Sequence, residues 1–195
     1  MVVKSTMSHQ SYTVKNVKVH VILPHPITIP KHLNHVSKHH SNFTVVRVGG
    51  FVFIIFPNSG CVNISSITNF DNIKDAVNVF NHHFSTNIQR EHIVVDNSTA
   101  SGQLSGEGII QLFKLIQSPI VDSARLTVSI RPHYFPSATI RGKPIQVQPK
   151  RKQKCRSDFA TCIIFSNRKF IIVGGKSINH IDNTFSILSN LVKHL

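Results

Sequence analysis

The tripeptide Ile-Ile-Phe occurs twice, ending at Phe56 and at Phe165, and each copy closes an apolar run that meets a short polar turn. After each turn the chain becomes apolar again, at 61–64 and 170–173, and then enters a helical pattern, at 72–84 and 177–195. Two β-rich runs about a short polar turn predict a hairpin. A hairpin feeding a helix in both halves predicts two copies of one supersecondary unit. This self-similarity constrains the fold more than any other feature, because whatever the first half builds, the second half builds in variant form.

The rest of the chain fits that plan. Residues 14–23 alternate, with Val17, Val19 and Val21 on one side and Asn16, Lys18, His20 and Ile22 on the other, which predicts a half-buried strand ended by Pro24 and Pro26. Residues 29–40 carry Ile29, Leu33 and Val36 in one stripe after Pro30, which predicts a helix. Gly49-Gly50 joins the strands 43–48 and 51–56 by tolerating positive φ. Asp71 stands where it can cap a helix whose apolar set is Ile73, Ala76, Val77, Phe80 and Phe84. In the second half, 92–104 and 124–131 read as strands. Residues 107–116 read as a helix that largely buries Ile109, Ile110, Leu112, Phe113 and Ile116. The last helix presents Ile178, Ile181, Phe185, Leu188, Leu191 and Val192 on one face. Residues 1–11 are polar and read as a loose terminus, and 144–158 read as an exposed basic loop carrying Lys150, Arg151, Lys152, Lys154 and Arg156. Each half is then strand, helix, strand hairpin, strand, long helix: an α+β chain whose antiparallel sheet has helices on one face and an open, apolar second face. Such a face is a binding surface or a dimer interface.

Charge narrows the partner. Lys and Arg number 22 against 8 Asp and Glu, a formal net charge of +14, with 13 His besides. That balance points to a polyanion, either nucleic acid or an anionic membrane surface. No run approaches the roughly 18 apolar residues of a membrane span, and the N-terminus lacks a signal peptide's apolar centre. Cys61, Cys155 and Cys162 form no C-x-x-C pair, which argues against a zinc ribbon or a disulfide framework. His39-His40 and His82-His83 have no Cys or acidic partners at ligand spacing, so no metal and no cofactor is expected. Gly174-Gly175-Lys176 lacks the spacing of a phosphate loop, and no nucleophile–base constellation stands out. A binding protein is expected rather than an enzyme.

Several of these residues fall into a known pattern. Residues 160–176 resemble, without a gap, the second-repeat hairpin of the TATA-box-binding protein (TBP) family. Phe165 stands at its intercalating phenylalanine, and Gly174 and Lys176 at the Gly and Lys of its T-G-A-K segment. Phe135-Pro136, Arg141 and Lys143-Pro144 resemble the preceding strand, Phe43 and Phe56 stand at the corresponding first-repeat pair, and Asn16 and Asn97 at the asparagine that begins each repeat. The likeness runs over residues 12–195 and implies two repeats, 12–90 and 91–195, forming one curved, saddle-shaped antiparallel sheet with helices on its convex face. It implies a general transcription initiation factor that binds and bends the minor groove of AT-rich promoter DNA through the concave face. This family is itself the best-known case of minor-groove binding by apolar wedges, so the mechanism comes with the resemblance. The implied DNA-binding residues are Asn16, Phe43, Phe56, Asn97, Phe135, Phe165 and Val173, with Arg47, Arg141, Lys169 and Lys176 on phosphates. The implied partners are double-stranded DNA, other initiation factors and RNA polymerase, with a homodimer through the same face when DNA is absent. The implied location is the nucleus, or a host nucleus or viral factory for a viral protein.

The departures are specific. Ile64-Ser65-Ser66-Ile67 replaces T-G-A-K in the first repeat, Val173 replaces its threonine in the second, and Lys18 and Thr99 stand where the family has apolar residues. These changes bear on any standard TATA preference. The second-repeat strand has two registers, one with Phe135 at the wedge position and one, through 124–131, with Leu126 there. A single Phe is ordinarily a core residue; its recurrence at the end of both Ile-Ile-Phe runs favours a wedge. The alternative functions are a degenerate saddle serving as a protein-interaction scaffold and a non-specific nucleic-acid binder that uses charge alone.

Overall fold

Val17, Val19 and Val21 are fully buried while their neighbours are not, so Tyr12–Ile22 is the half-buried strand that its alternation predicts (β1). In the computed structural model, which describes residues 12–131, 136–143, 157–193 and 195, a 3-10 turn at Lys31–Val36 follows. Then come β2 (Ser37–His39), β3 (Thr44–Val48), β4 (Phe51–Phe56), β5 (Cys61–Ile67) and helix α1 (Ile73–Phe84). The second series is β6 (Ile93–Gln103), the short helices α2 (Leu112–Ile116) and α3 (Pro119–Ser123), β7 (Leu126–Arg131), β8 (Ser137–Gly142), β9 (Thr161–Phe165), β10 (Lys169–Val173) and α4 (Ile178–Lys193). The strands form one unclosed antiparallel sheet in the order β2-β3-β4-β5-β1-β6-β10-β9-β8-β7. Read inward from either edge, the strands of a half come as its second, third, fourth, fifth and first. The expected loose terminus at 1–11, Phe135 and the basic loop as far as Arg156 lie outside the described residues.

Two units divide the chain. The first comprises residues 14–99 and 176–178. Its core sets Phe53 of β4 against α1, with the Phe53 and Phe80 ring centroids 5.3 Å apart and Phe80 stacked on Phe84 at 4.3 Å. Burying each such ring contributes about 1.5–3 kcal/mol. The Gly49-Gly50 turn has φ of +59° and +80°, the left-handed pair that a two-residue hairpin demands. Asn81 closes the loop after α1: its Oδ1 accepts from Ile88 N–H and Thr86 Oγ1, each at 2.9 Å.

The second unit comprises residues 1–13, 100–175 and 179–195. Here α4 buries Ile181, Thr184, Leu188, Leu191 and Val192. Thr184 Oγ1 accepts from Ala160 N–H at 3.0 Å and donates to His180 O at 2.8 Å, so a buried hydroxyl is satisfied on both counts. Phe185 lies against Phe170 at 5.5 Å and Tyr12 at 5.3 Å. The Tyr12 hydroxyl donates to Asp182; burial, then that bond, push its pKa up. Ile178, expected on the apolar face of α4, is 38% exposed.

Three local expectations are corrected. Residues 29–40 do not form an α-helix: only Lys31–Val36 turns, as 3-10, and Leu33 is its one buried residue. Three apolar residues among Lys, His and Asn bury too little to hold a helix, and Ser37–His39 pairs with β3 instead. Residues 107–116 are helical only from Leu112, because Gly106 (φ +108°) and Gly108 (φ +76°) break the helix before it starts. Ile110, Leu112 and Leu115 face inward, whereas Ile109 is 78%, Phe113 67% and Ile116 50% exposed. Asp71 does not cap α1: the N-cap is Asn72, without a side-chain cap bond, and its N–H reaches Asn69 Oδ1 at 2.9 Å.

Candidate nucleic-acid interface

In the first unit, strand register sorts side chains onto two faces. Val46 and Ile64 pair with Phe53, and Thr44 and Val62 with Ile55; these make the core. The face away from the core carries the alternate set. Phe56 is opposite Cys61, Ile54 is opposite Val45 and Asn63, and Val52 is opposite Arg47 and Ser65. His20 and Ile22 of β1 continue those rows beside Asn63 and Cys61. Phe43 stands one step beyond the Thr44–Ile55 pair, and its ring lies 5.8 Å from that of Phe56, so these two site residues come together. His40 stacks on Phe43 at 4.4 Å. Arg47 is exposed further along the same face of β3.

Asn16 is exposed on β1. On β6, Ser98 and Ala100 are buried, which turns Asn97 and Thr99 the other way. Asp96, which the sequence reading passed over, collects charge: Lys18 Nζ meets its carboxylate at 3.0 Å, and Lys176 donates to its backbone carbonyl. The Lys18 ammonium holds the Asp96 carboxyl below its usual range, against a partial burial that raises it, with Lys176 and His20 adding to the lowering. Lys176, expected at a phosphate, is therefore already engaged within its own unit.

His20, Asn63 and Cys61 are the residue types of a cysteine nucleophile with its base and orienting amide. Their geometry is not that of a relay. His20 Nδ1 is the ring nitrogen nearer to Cys61 Sγ, at 3.6 Å, and the same atom meets Asn63 Oδ1 at 3.0 Å. A base needs one nitrogen for the thiol and the other for its orienter. Burial also pushes the Cys61 thiol up, with Lys18 opposing, so it is less nucleophilic than a free thiol.

In the second unit the register is equally definite. Ala138 and Phe170 flank Ile164, and Ile140 and Ile172 flank Cys162, all buried. The other face has Ser137 opposite Phe165, Ile163 between Thr139 and Ile171, and Val173 opposite Thr161. Arg141, paired with Thr127, and Lys169 lie on that face and are exposed. Phe165 and Val173 are half-buried there. Of the two registers open in the sequence, the strand beside β9 is Ser137–Gly142; β7 pairs outside it, and Leu126 is buried at 1% exposure. Ser137 occupies the place opposite Phe165 that Phe43 occupies opposite Phe56; Phe135 precedes it by two positions. Arg47 and Arg141 are register equivalents, two residues beyond Val45 and Thr139.

Among the described residues no three His, Cys, Asp or Glu side chains gather as a metal site, and no helix is long and apolar enough to cross a membrane. The element order and the strand order together define an α+β protein of the TBP-like fold. Among solved structures the chain is similar to Methanococcus jannaschii TBP, with a TM-score of 0.66 at 16% identity over 95% of this chain and 99% of that one. No protein-family model matches the chain, and no curated protein matches it in sequence.

Proposed function

We propose that this chain is a TBP-like transcription initiation factor that binds and bends the minor groove of AT-rich promoter DNA through the sheet face opposite its helices. One observation carries the reading. Phe56 and Phe165 end β4 and β9 at matching registers on the face away from the core, while Phe53 and Phe170, a few residues away, are buried. A half-exposed Phe at the tip of each hairpin suits a wedge that enters a base step, at a cost of a few kcal/mol of unstacking that the wider contact with bent DNA offsets. Arg47, Arg141 and Lys169 are exposed cations on the neighbouring strands β3, β8 and β10, suited to phosphates. Asn16 and Asn97 carry amides that can both donate and accept at the groove floor. Phe43 would act with Phe56, and Phe135 with Phe165; Val173 would line the groove, and Lys176 would reach DNA on leaving Asp96.

On this reading the repeats are 12–90 and 91–195. The chain acts by binding rather than catalysis and without a cofactor. It works in a nucleus or viral factory with other initiation factors and RNA polymerase, and pairs with a second copy through the same face when DNA is absent. A second reading, a scaffold that binds protein on that face, draws on Asp96: a carboxylate beside Asn97 repels a phosphate-lined groove unless Lys18 and Lys176 neutralise it. Energy transfer between the ends of AT-rich and GC-rich duplexes separates the readings. A strong bend on AT-rich duplex supports the first. Binding without a bend leaves charge alone as the basis of binding, and no binding to either duplex leaves the scaffold.

A further inference from the structure

The hairpin tips of the two units are each docked within their own unit, and in the same way. Leu23 N–H donates to Gly60 O at 2.9 Å and Ile27 N–H to Pro57 O at 3.1 Å. Leu104 N–H donates to Arg168 O at 3.0 Å and Ile110 N–H to Ser166 O at 2.8 Å. In each case the loop that leaves the first strand of a half holds the turn that follows the Ile-Ile-Phe phenylalanine. The last turn residue is left-handed in both, with φ of +64° at Gly60 and +68° at Arg168. Glycine adopts that conformation freely, whereas a residue with a Cβ does so against steric resistance. At Gly60 nothing larger fits, since a Cβ would lie 2.7 Å from the carbonyl oxygens of Leu23 and His25.

At Arg168 the side chain is accommodated, and each of its three nitrogens donates to a backbone carbonyl. Its Nε donates to Gly108 O at 3.2 Å, Nη1 to Ser105 O at 2.8 Å and Nη2 to Glu107 O at 2.8 Å. Gly106 makes the approach feasible: a Cβ there would lie 2.7 Å from Nη1. A planar guanidinium serves three carbonyls at fixed angles, which a point-charge ammonium cannot do. We propose that Arg168 is a positioning residue, a clamp that fixes the tip of the β9–β10 hairpin against residues 105–110 and so presents Phe165. Its use at DNA rests on the minor-groove reading; its existence in the free protein does not. Three of its five N–H donors are turned to its own chain, so a phosphate could be met only by the second N–H of Nη1 or Nη2.

The test uses Arg168→Gly and Arg168→Lys in the full chain. Glycine keeps the left-handed turn and removes the fork; lysine keeps the charge and removes the fork. Both variants should melt near the wild type, yet exchange the Leu104 and Ile110 amides about tenfold faster in the free protein. Both should leave AT-rich duplex about fivefold faster with a smaller bend, and with an unchanged salt dependence. The clamp is overturned if the two amides exchange at the wild-type rate in both variants. It is also overturned if lysine restores wild-type behaviour while glycine alone shallows the salt slope by about 0.9, the mark of a phosphate contact. A wild-type chain that bends no duplex overturns the minor-groove reading and the presenting role together, and amide exchange then still decides whether the clamp exists.

Discussion

Phe165 and Phe170 sit on one hairpin, on opposite faces, and replacing each by alanine should damage different things. Phe170 is 1% exposed between Ile164 and the α4 ring of Phe185. Its truncation removes a buried ring and leaves a cavity, at about 3–5 kcal/mol. Against a total stability of about 5–15 kcal/mol, that is a large share. At about 2–4 °C per kcal/mol for a chain of this size, the melting temperature should fall by about 6–20 °C. Phe165 is half-buried, across from Ser137. Half of an aromatic side chain's transfer free energy is about 1 kcal/mol, so its loss should lower the midpoint by only about 2–4 °C. On AT-rich duplex the order reverses. On the minor-groove reading, in which Phe165 holds a base step open, Phe165→Ala should weaken binding at least about tenfold, equivalent to about 1.4 kcal/mol, and reduce the bend. Phe170→Ala, assayed below its midpoint, should still bend DNA. Melting by circular dichroism and bending by energy transfer on the same preparations make the comparison. A Phe165→Ala chain that melts as low as Phe170→Ala, or that bends DNA as the wild type does, would refute the wedge.

Gly60→Ala should cost about 1–3 kcal/mol in denaturant unfolding, because an alanine there is left-handed and its Cβ meets two carbonyl oxygens at 2.7 Å; an unchanged midpoint would contradict the docking of that turn. Arg47→Ala and Arg141→Ala should each shallow the plot of log binding constant against log salt by about 0.9, and a slope that does not move removes that residue from the phosphates. In a Cys155→Ser background, Cys61 should alkylate slowly in the native state, since burial raises its thiol. Cys162, whose thiol burial pushes up much further, should alkylate only on global unfolding, and early labelling of Cys162 would contradict the core assignment. The Asp96 carboxyl is held below its ordinary 3.8 in the folded chain, so the Lys18 contact stabilises above that value and the contribution is lost as pH falls through the folded-state midpoint; Lys18→Val should raise the midpoint seen by carboxyl NMR, and no movement would refute the pairing.

The hairpins were legible because several local signals agreed on them. Alternation along β1, the Gly49-Gly50 turn and the repeated Ile-Ile-Phe each specified the same register, and register decides which face is core. The failures came where one signal stood alone. Ile109, Phe113 and Ile116 have the spacing of a buried helix face, but spacing does not say which side of a helix meets the sheet, and Leu112 and Leu115 meet it instead. The same holds for 29–40, where an apolar stripe of three residues lost to the edge pairing of Ser37–His39 with β3. Asp96 and Arg168 were missed for another reason. Their roles depend on Lys18 and on the carbonyls of residues 105–108, which lie far away in sequence, and no periodicity connects them. A faint signal for Arg168 existed: the first turn ends in a glycine and the second does not, so the second has to satisfy a left-handed position some other way.

The two halves share a plan while their outward surfaces have separated, and that contrast bears on function. On the core side, Phe53 and Ile55 of β4 answer to Cys162 and Ile164 of β9, all buried and apolar, as a close-packed interior requires. On the outward side little is shared. Ile54 lies between Val45 and Asn63 where Ile163 lies between Thr139 and Ile171, and Phe43 faces Phe56 where Ser137 faces Phe165. A face that the folded chain does not bury is free to vary, because exposed substitutions cost little stability. Ile54 with Ile163, Phe56 with Phe165 and Arg47 with Arg141 nevertheless match across the halves, each pair at one register and on the outward face. Folding accounts for the phenylalanines only in part, since neither is fully buried and an outward aromatic invites association. The same apolar tip and the same cation on both outward faces, set among unlike neighbours, are what a partner with two similar contact sites requires. On the proposed minor-groove reading, that partner is a duplex entered at two base steps and held by the phosphates beside them.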